Sequence, residues 1–117
     1  MFELRLCDSP LIYYPTNPGR KMRRIAMFDG EMEIAFVDLF VESDWAHFIY
    51  VWVHPDYRDE NTIWHYISNA FNFDLGTKNI YWLNIVQPLV HFLHKIADER
   101  PDLVFAATGA TDIVLNG

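Results

Sequence analysis

Apolar and polar positions alternate at the start of the chain. Phe2, Leu4 and Leu6 fall on one side and Glu3 and Arg5 on the other, which predicts a strand over residues 2–7. Residues 8–20 break the pattern with Pro10, Pro15, Pro18 and Gly19 around Leu11-Ile12-Tyr13-Tyr14, and read as an irregular connection with room for one helical turn. Two apolar runs, 24–28 and 31–41, then flank Asp29-Gly30. Such a pair between apolar runs predicts a hairpin whose two turn residues both take positive φ. The second arm is apolar on both faces, with Met32, Ile34, Phe36 and Phe40 against Ala35, Val37, Leu39 and Val41, so it is expected to be covered on both sides. After a turn at Glu42-Ser43-Asp44, a strand over residues 46–54 contains the run Ile49 to Val53, and Pro55 stops it. Polar, cap-forming residues occupy 58–61. From Thr62 the spacing becomes helical, with Ile63, Ile67, Ala70 and Phe71 on one face, and continues to about residue 73 before Leu75-Gly76. Trp64 and Tyr66 lie partly off that stripe and read as a contact or dimer surface. A strand over 79–85 follows. Pro88 opens a second helix with the stripe Leu89, Phe92, Leu93, Ile96 and Ala97, and Arg100-Pro101 ends it. Residues 103–108 and 110–115 form a closing hairpin around Gly109. The fold class is α+β: a mixed, mostly antiparallel sheet of about six or seven strands with two helices packed on it.

Composition narrows the function classes. A chain of 117 residues suits one domain spanning 1–117. Hydrophobic residues make up 51% of it, enough for a real core and against disorder. A formal charge of −7 argues against general nucleic-acid binding and fits either a soluble protein or one that docks on a basic partner surface. Cys7 is the only cysteine, so no internal disulfide forms. No apolar run reaches membrane-spanning length and the N-terminus lacks a signal pattern, so no membrane association and a cytoplasmic location are expected.

The stretch from Ile49 to Phe71 carries the chemistry. A buried strand feeds a polar turn and the turn opens a helix, the geometry in which backbone N–H groups receive an anion. Val53, Pro55, Tyr57 and Arg58 resemble the V-x-P-x-Y-R turn of GNAT-type N-acyltransferases. Asn61 and Ile63 stand where that family has Gly, and Gly or Ala. Asn84 and Phe92-Leu93 are similar to the family's motif before its last hairpin, and the element order matches once its first two helices are dropped. The resemblance implies a GNAT-like fold and transfer of an acetyl group from acetyl-CoA to an amine substrate. It implies a coenzyme cradle from the amides of Asn61, Thr62 and Ile63, aided by Arg58, with the pantetheine arm along Trp52 and Val53. It gives Asp38, Glu42 or His54 as the base, and His91 or Phe92, depending on register, at the position of the family's acid. Short, acidic GNAT-like proteins are familiar from tailed phages, in virions and as inhibitors of host defence. The alternative function is therefore a non-catalytic GNAT-fold binding protein, acting on a protein partner or as a homodimer.

Other residues have two readings each. Asp38 lies among Phe36 and Phe40 and is either a buried base or a residue that pairs with an arginine or sits at a bulge. Arg20, Lys21, Arg23 and Arg24 are a solvated strand start or a landing site for a phosphate or an acidic partner. His91 and His94 share a helix face, but a zinc site needs two further ligands, so no metal is expected. The four tryptophans and six tyrosines serve a core first and a recognition surface second.

Overall fold

The computed structural model describes residues 1–11, 21–109 and 113–115. The connection expected over residues 8–20 lies outside the described residues from position 12 onward. The elements run β1 (Phe2–Asp8), β2 (Arg23–Asp29), β3 (Met32–Glu42), β4 (Trp45–Val53), a 3-10 turn (Pro55–Tyr57), α1 (Glu60–Ala70), β5 (Asn79–Ile85), α2 (Gln87–Glu99), β6 (Val104–Gly109) and β7 (Ile113–Leu115). The strands keep chain order in one mixed sheet. The ladders β1/β2, β2/β3 and β6/β7 are antiparallel, while β4/β5 and β5/β6 are parallel. The chain is α+β with two helices, as the periodicities predict.

The residues group into two compact units, Met1–Phe40 with Tyr50–Phe73, and Val41–Ile49 with Asp74–Gly117. In the first, β1 pairs with β2 without a break from Phe2↔Asp29 to Asp8↔Arg23. Ile25, Met27, Ile34, Val37, Leu39, Ile67, Ala70 and Phe71 are buried together with Tyr66. Each large apolar side chain removed from water there contributes roughly 1.5–3 kcal/mol.

Three expectations change in this unit. The loop between β2 and β3 is Gly30-Glu31, since Asp29 still pairs with Met32, and of the expected Asp29-Gly30 pair only Gly30 has positive φ, +64°. A glycine at the first central position suits a II′-like loop, and the register shift between Met27 and Phe28 takes up the displaced residue. Helix α1 starts two residues before Thr62 and stops at Ala70, six residues short of Gly76, with Phe71 as its C-cap. Finally, Tyr66 is not a surface residue. It is 1% exposed and its hydroxyl donates to the Ile25 carbonyl. The apolar body of the ring is core and the hydroxyl has a partner, so the buried face of α1 runs through Thr62, Tyr66, Ile67 and Ala70. Trp64 is half-buried.

In the second unit, Ser43 and Asp44 connect β3 to β4 with φ of 54° and 62°. Two consecutive left-handed residues are the I′ geometry that joins twisted antiparallel strands. The Asp44 carbonyl accepts hydrogen bonds from Thr77 Oγ1 at 2.8 Å and Asn79 Nδ2 at 3.0 Å, which fasten the turn to the start of β5. Ala46 to Phe48 then pair with Ile80 to Trp82. The α2 stripe predicted from the sequence is buried in full, with Val90 added. Near the end of β5 the register shifts between Trp82 and Ile85, Asn84 turns left-handed at φ 57°, and its N–H donates to Thr108 Oγ1 at 3.2 Å. Gly109, opposite Ile85, has φ +120°, and a Cβ there would lie 2.5 Å from the Ile85 carbonyl oxygen.

Candidate functional site

The strand–turn–helix that the sequence singles out lies within the first unit. His54 ends β4 by donating its N–H to the Ile34 carbonyl at 2.7 Å, and its Nδ1 accepts the Asp56 N–H at 3.1 Å. Pro55 fixes the first φ of the 3-10 turn, which closes when the Tyr57 N–H reaches the His54 carbonyl at 2.8 Å. The Tyr57 hydroxyl donates to Asp29 Oδ2 at 2.6 Å. That bond to a carboxylate raises the phenol above its ordinary range. Arg58 folds back, its Nε donating to the Val53 carbonyl at 2.9 Å.

Asp59 caps α1. It is extended at φ −79°, ψ 156°, its Oδ2 accepts the Thr62 N–H at 2.9 Å, and its Oδ1 accepts the Thr62 hydroxyl at 2.7 Å. These two bonds, side chain first, hold its carboxyl below the ordinary range. The Ile63 N–H is already in the helical ladder, 3.1 Å from the Asp59 carbonyl. Of the three amides assigned to a pyrophosphate, those of Thr62 and Ile63 are thus spent on the chain itself. A carboxylate stands where the anion would enter. Asp56 and Glu60 add two further acidic groups to residues 54–63, where Arg58 is the one arginine and no lysine occurs. The Ile63 side chain is half-buried at the same helix start. These residues do not fit the diphosphate of coenzyme A.

The same stretch gathers aromatic rings. Phe36 stacks with Tyr50 at 5.8 Å and lies 5.5 Å from Trp52. Trp52 meets His54 edge-on at 5.9 Å, and His54 meets Tyr57 at 5.6 Å. Tyr57 and His65 both contact Phe2, at 6.1 and 5.6 Å. Tyr50 is 52% exposed, and Trp52, His54 and Tyr57 are half-buried, so the row reaches solvent. Periodicity could not have found it, because it joins β1, β3, β4 and the turn.

Asp38 is buried in the same unit, with both oxygens engaged. Arg24 Nε lies 2.8 Å from Oδ1 and Nη2 3.1 Å from Oδ2, and Ser9 Oγ donates to Oδ1 at 2.6 Å. The arginine-paired reading of Asp38 is the geometry present. Bonding to Asp38 raises the Arg24 guanidinium further, and its Cζ sits 3.6 Å from the centre of the Phe36 ring. Glu33 accepts from Arg24 Nη1 at 3.3 Å. Lys21 and Arg23 lie 3.4 and 3.6 Å from Asp8, so Arg24 and both of these basic residues face carboxylates of their own chain; Arg20 is outside the described residues.

Glu42 and His91 belong to the second unit. The half-buried Glu42 places its carbonyl 3.3 Å from His47 Nε2. His91 is exposed on α2 and touches Phe92 edge-on at 5.6 Å. Within one short stretch of the first unit, then, the chain brings together Trp52, Val53, His54, Arg58, Asn61, Thr62 and Ile63. Among the described residues no group of three His, Cys, Asp or Glu is placed to hold a metal ion. Comparisons with family models, with curated proteins and with solved structures find no match.

Proposed function

We propose that this chain is a non-catalytic binding protein that acts by protein–protein contact, with the aromatic and acidic turn of its first unit as the contact surface. The observation that carries this reading is the self-capped start of α1. Asp59 already satisfies the Thr62 amide and brings negative charge to the place where an acyltransferase would hold its coenzyme. An anion there would have to displace a carboxylate held by two hydrogen bonds. A cation meets no such obstacle. Tyr50, Trp52, His54 and Tyr57 offer ring faces and edges, Asp56 and Glu60 offer carboxylates, and Arg24 over Phe36 is the same pairing made inside the unit. The partner that suits this surface is a protein presenting arginine or lysine, in keeping with the net charge of −7. An inhibitor or virion component of the phage type fits the description.

The competing reading is transfer of an acetyl group from acetyl-CoA to an amine, and calorimetry with acetyl-CoA separates the two. No heat is expected up to about 1 mM ligand. Asn61→Gly combined with Ile63→Gly, which opens the approach path, leaves that result unchanged because the Asp59 carboxylate remains. Saturable binding by the wild-type protein, or binding gained by the double variant, returns the reading to an acyltransferase.

A further inference from the structure

Strand β1 ends the sheet. Its unbroken ladder with β2 occupies one edge, and no strand lies beyond the other among the described residues. Such an edge is a template for another strand, and proteins blunt it with proline, a bulge or charged side chains, lysine above all. The β1 sequence, FELRLCD, has no proline, no lysine and a continuous register. The charges at its centre, Glu3 and Arg5, are of opposite sign, so they disfavour some pairings and favour others. Its apolar side is open as well. Phe2, Leu4 and Leu6 are half-buried, whereas Met27 and Ile25, which pair with Leu4 and Leu6, are fully buried. A shallow groove of about 440 Å³ runs along that side, between Phe2 and Leu4 of β1 and His65, Asn69 and Phe73.

We infer that a second copy of this chain occupies the edge, β1 against β1, antiparallel about a two-fold axis through Leu4. The argument is one of register. Side chains directly opposite each other in an antiparallel pair lie on one face, so only axes through a residue keep the α1 side of both copies together. An axis through Glu3 sets Glu3 against Glu3 of the partner subunit, and one through Arg5 does the same with arginine. Both arrangements are repulsive. The axis through Leu4 sets Glu3 against Arg5 of the partner subunit and Arg5 against Glu3 of the partner subunit. On the other face it sets Phe2 against Leu6 and Leu4 against Leu4, which covers the half-buried row. Glu3 and Arg5 are already held side by side on their face by two 3.1 Å hydrogen bonds, with Arg5 Cζ 4.5 Å from the Phe28 ring centre. Two copies then form a closed ring of four alternating charges.

Sedimentation equilibrium tests this on the whole chain. Wild type is expected at twice 13.8 kDa in the micromolar range. Glu3→Arg and Arg5→Glu each replace an exposed side chain and make both cross-strand charge pairs repulsive, so each alone dissociates at least about tenfold more readily. An equimolar mixture of the two variants re-forms a dimer, since one then carries two arginines and the other two glutamates. Mixing restores no pair within either chain, so recovery reports the interchain pairs alone. A monomeric wild type at about 100 µM, single variants that dimerise like wild type, or a mixture that stays monomeric overturns the inference; circular dichroism checks that each variant is folded. The result is independent of whether acetyl-CoA binds.

Discussion

Asp38 illustrates how far a single residue can be read. Its place between Phe36 and Phe40 marks it as buried, and a buried carboxylate needs a cation. Which cation depends on the β2/β3 register, which puts Arg24 directly opposite Asp38. With its side chain 1% exposed against 15% for Arg24, the pair is dry enough for removal of one charge to strand the other. Asp38→Asn is therefore expected to cost about 3 kcal/mol, seen as a lower urea midpoint with an unchanged slope. Asp59 was legible only as one of several cap-forming polar residues. Nothing in the spacing says that the cap bonds Thr62 through both oxygens and so closes the helix start to an anion. Tyr66 lies partly off the stripe of Ile63, Ile67, Ala70 and Phe71, which suggests a surface position. The buried face of α1 is nevertheless broad enough to include it, and its hydroxyl finds an acceptor in the Ile25 carbonyl.

At the scale of elements the sequence is more transparent. Apolar runs, strand alternation and the helical stripes locate every described strand and both helices to within a few residues. The misplaced boundaries have local causes: within the cap-forming residues 58–61 it is Asp59 that caps, so the helix opens at Glu60 rather than Thr62, and a bulge shifts the loop between β2 and β3 by one residue. Pairing across the sheet is set by contacts distant in sequence and was less accessible. One junction allows a direct check. At the end of α2, Arg100 holds Asp102 through Nε and Nη2, both at 3.0 Å, and Lys78 lies 3.6 Å away. Hydrogen bonding to Arg100 lowers the Asp102 carboxyl from 3.8 to about 2. A depressed folded-state value means that this contribution to stability is fully present above the ordinary 3.8. It is lost as the pH falls through about 2. An NMR titration of the Asp102 carboxyl should show a midpoint near 2 in wild type, and Arg100→Ala should move it up toward the ordinary value.

At the scale of the molecule, a formal charge of −7 sets up a field that favours cationic over anionic groups and that salt screens, and the contact proposed above inherits this dependence. A short arginine-rich peptide should quench tryptophan emission at about 0.1 M salt, lose tenfold or more in affinity near 1 M, where the screening length falls to about 3 Å, and lose the signal in Trp52→Ala. A glutamate-rich peptide should do nothing at either salt. Equal quenching by both peptides would remove the acidic, aromatic turn as the contact surface. A different constraint comes from the end of β5, where main chain meets main chain at Ile85 and Gly109 with no room for a single methyl. Crowding between side chains can be relieved by trimming a neighbour, but here there is no neighbour to trim. Position 109 is therefore one where drift has no second-site remedy, and variation in the last third of the chain has to accumulate around it.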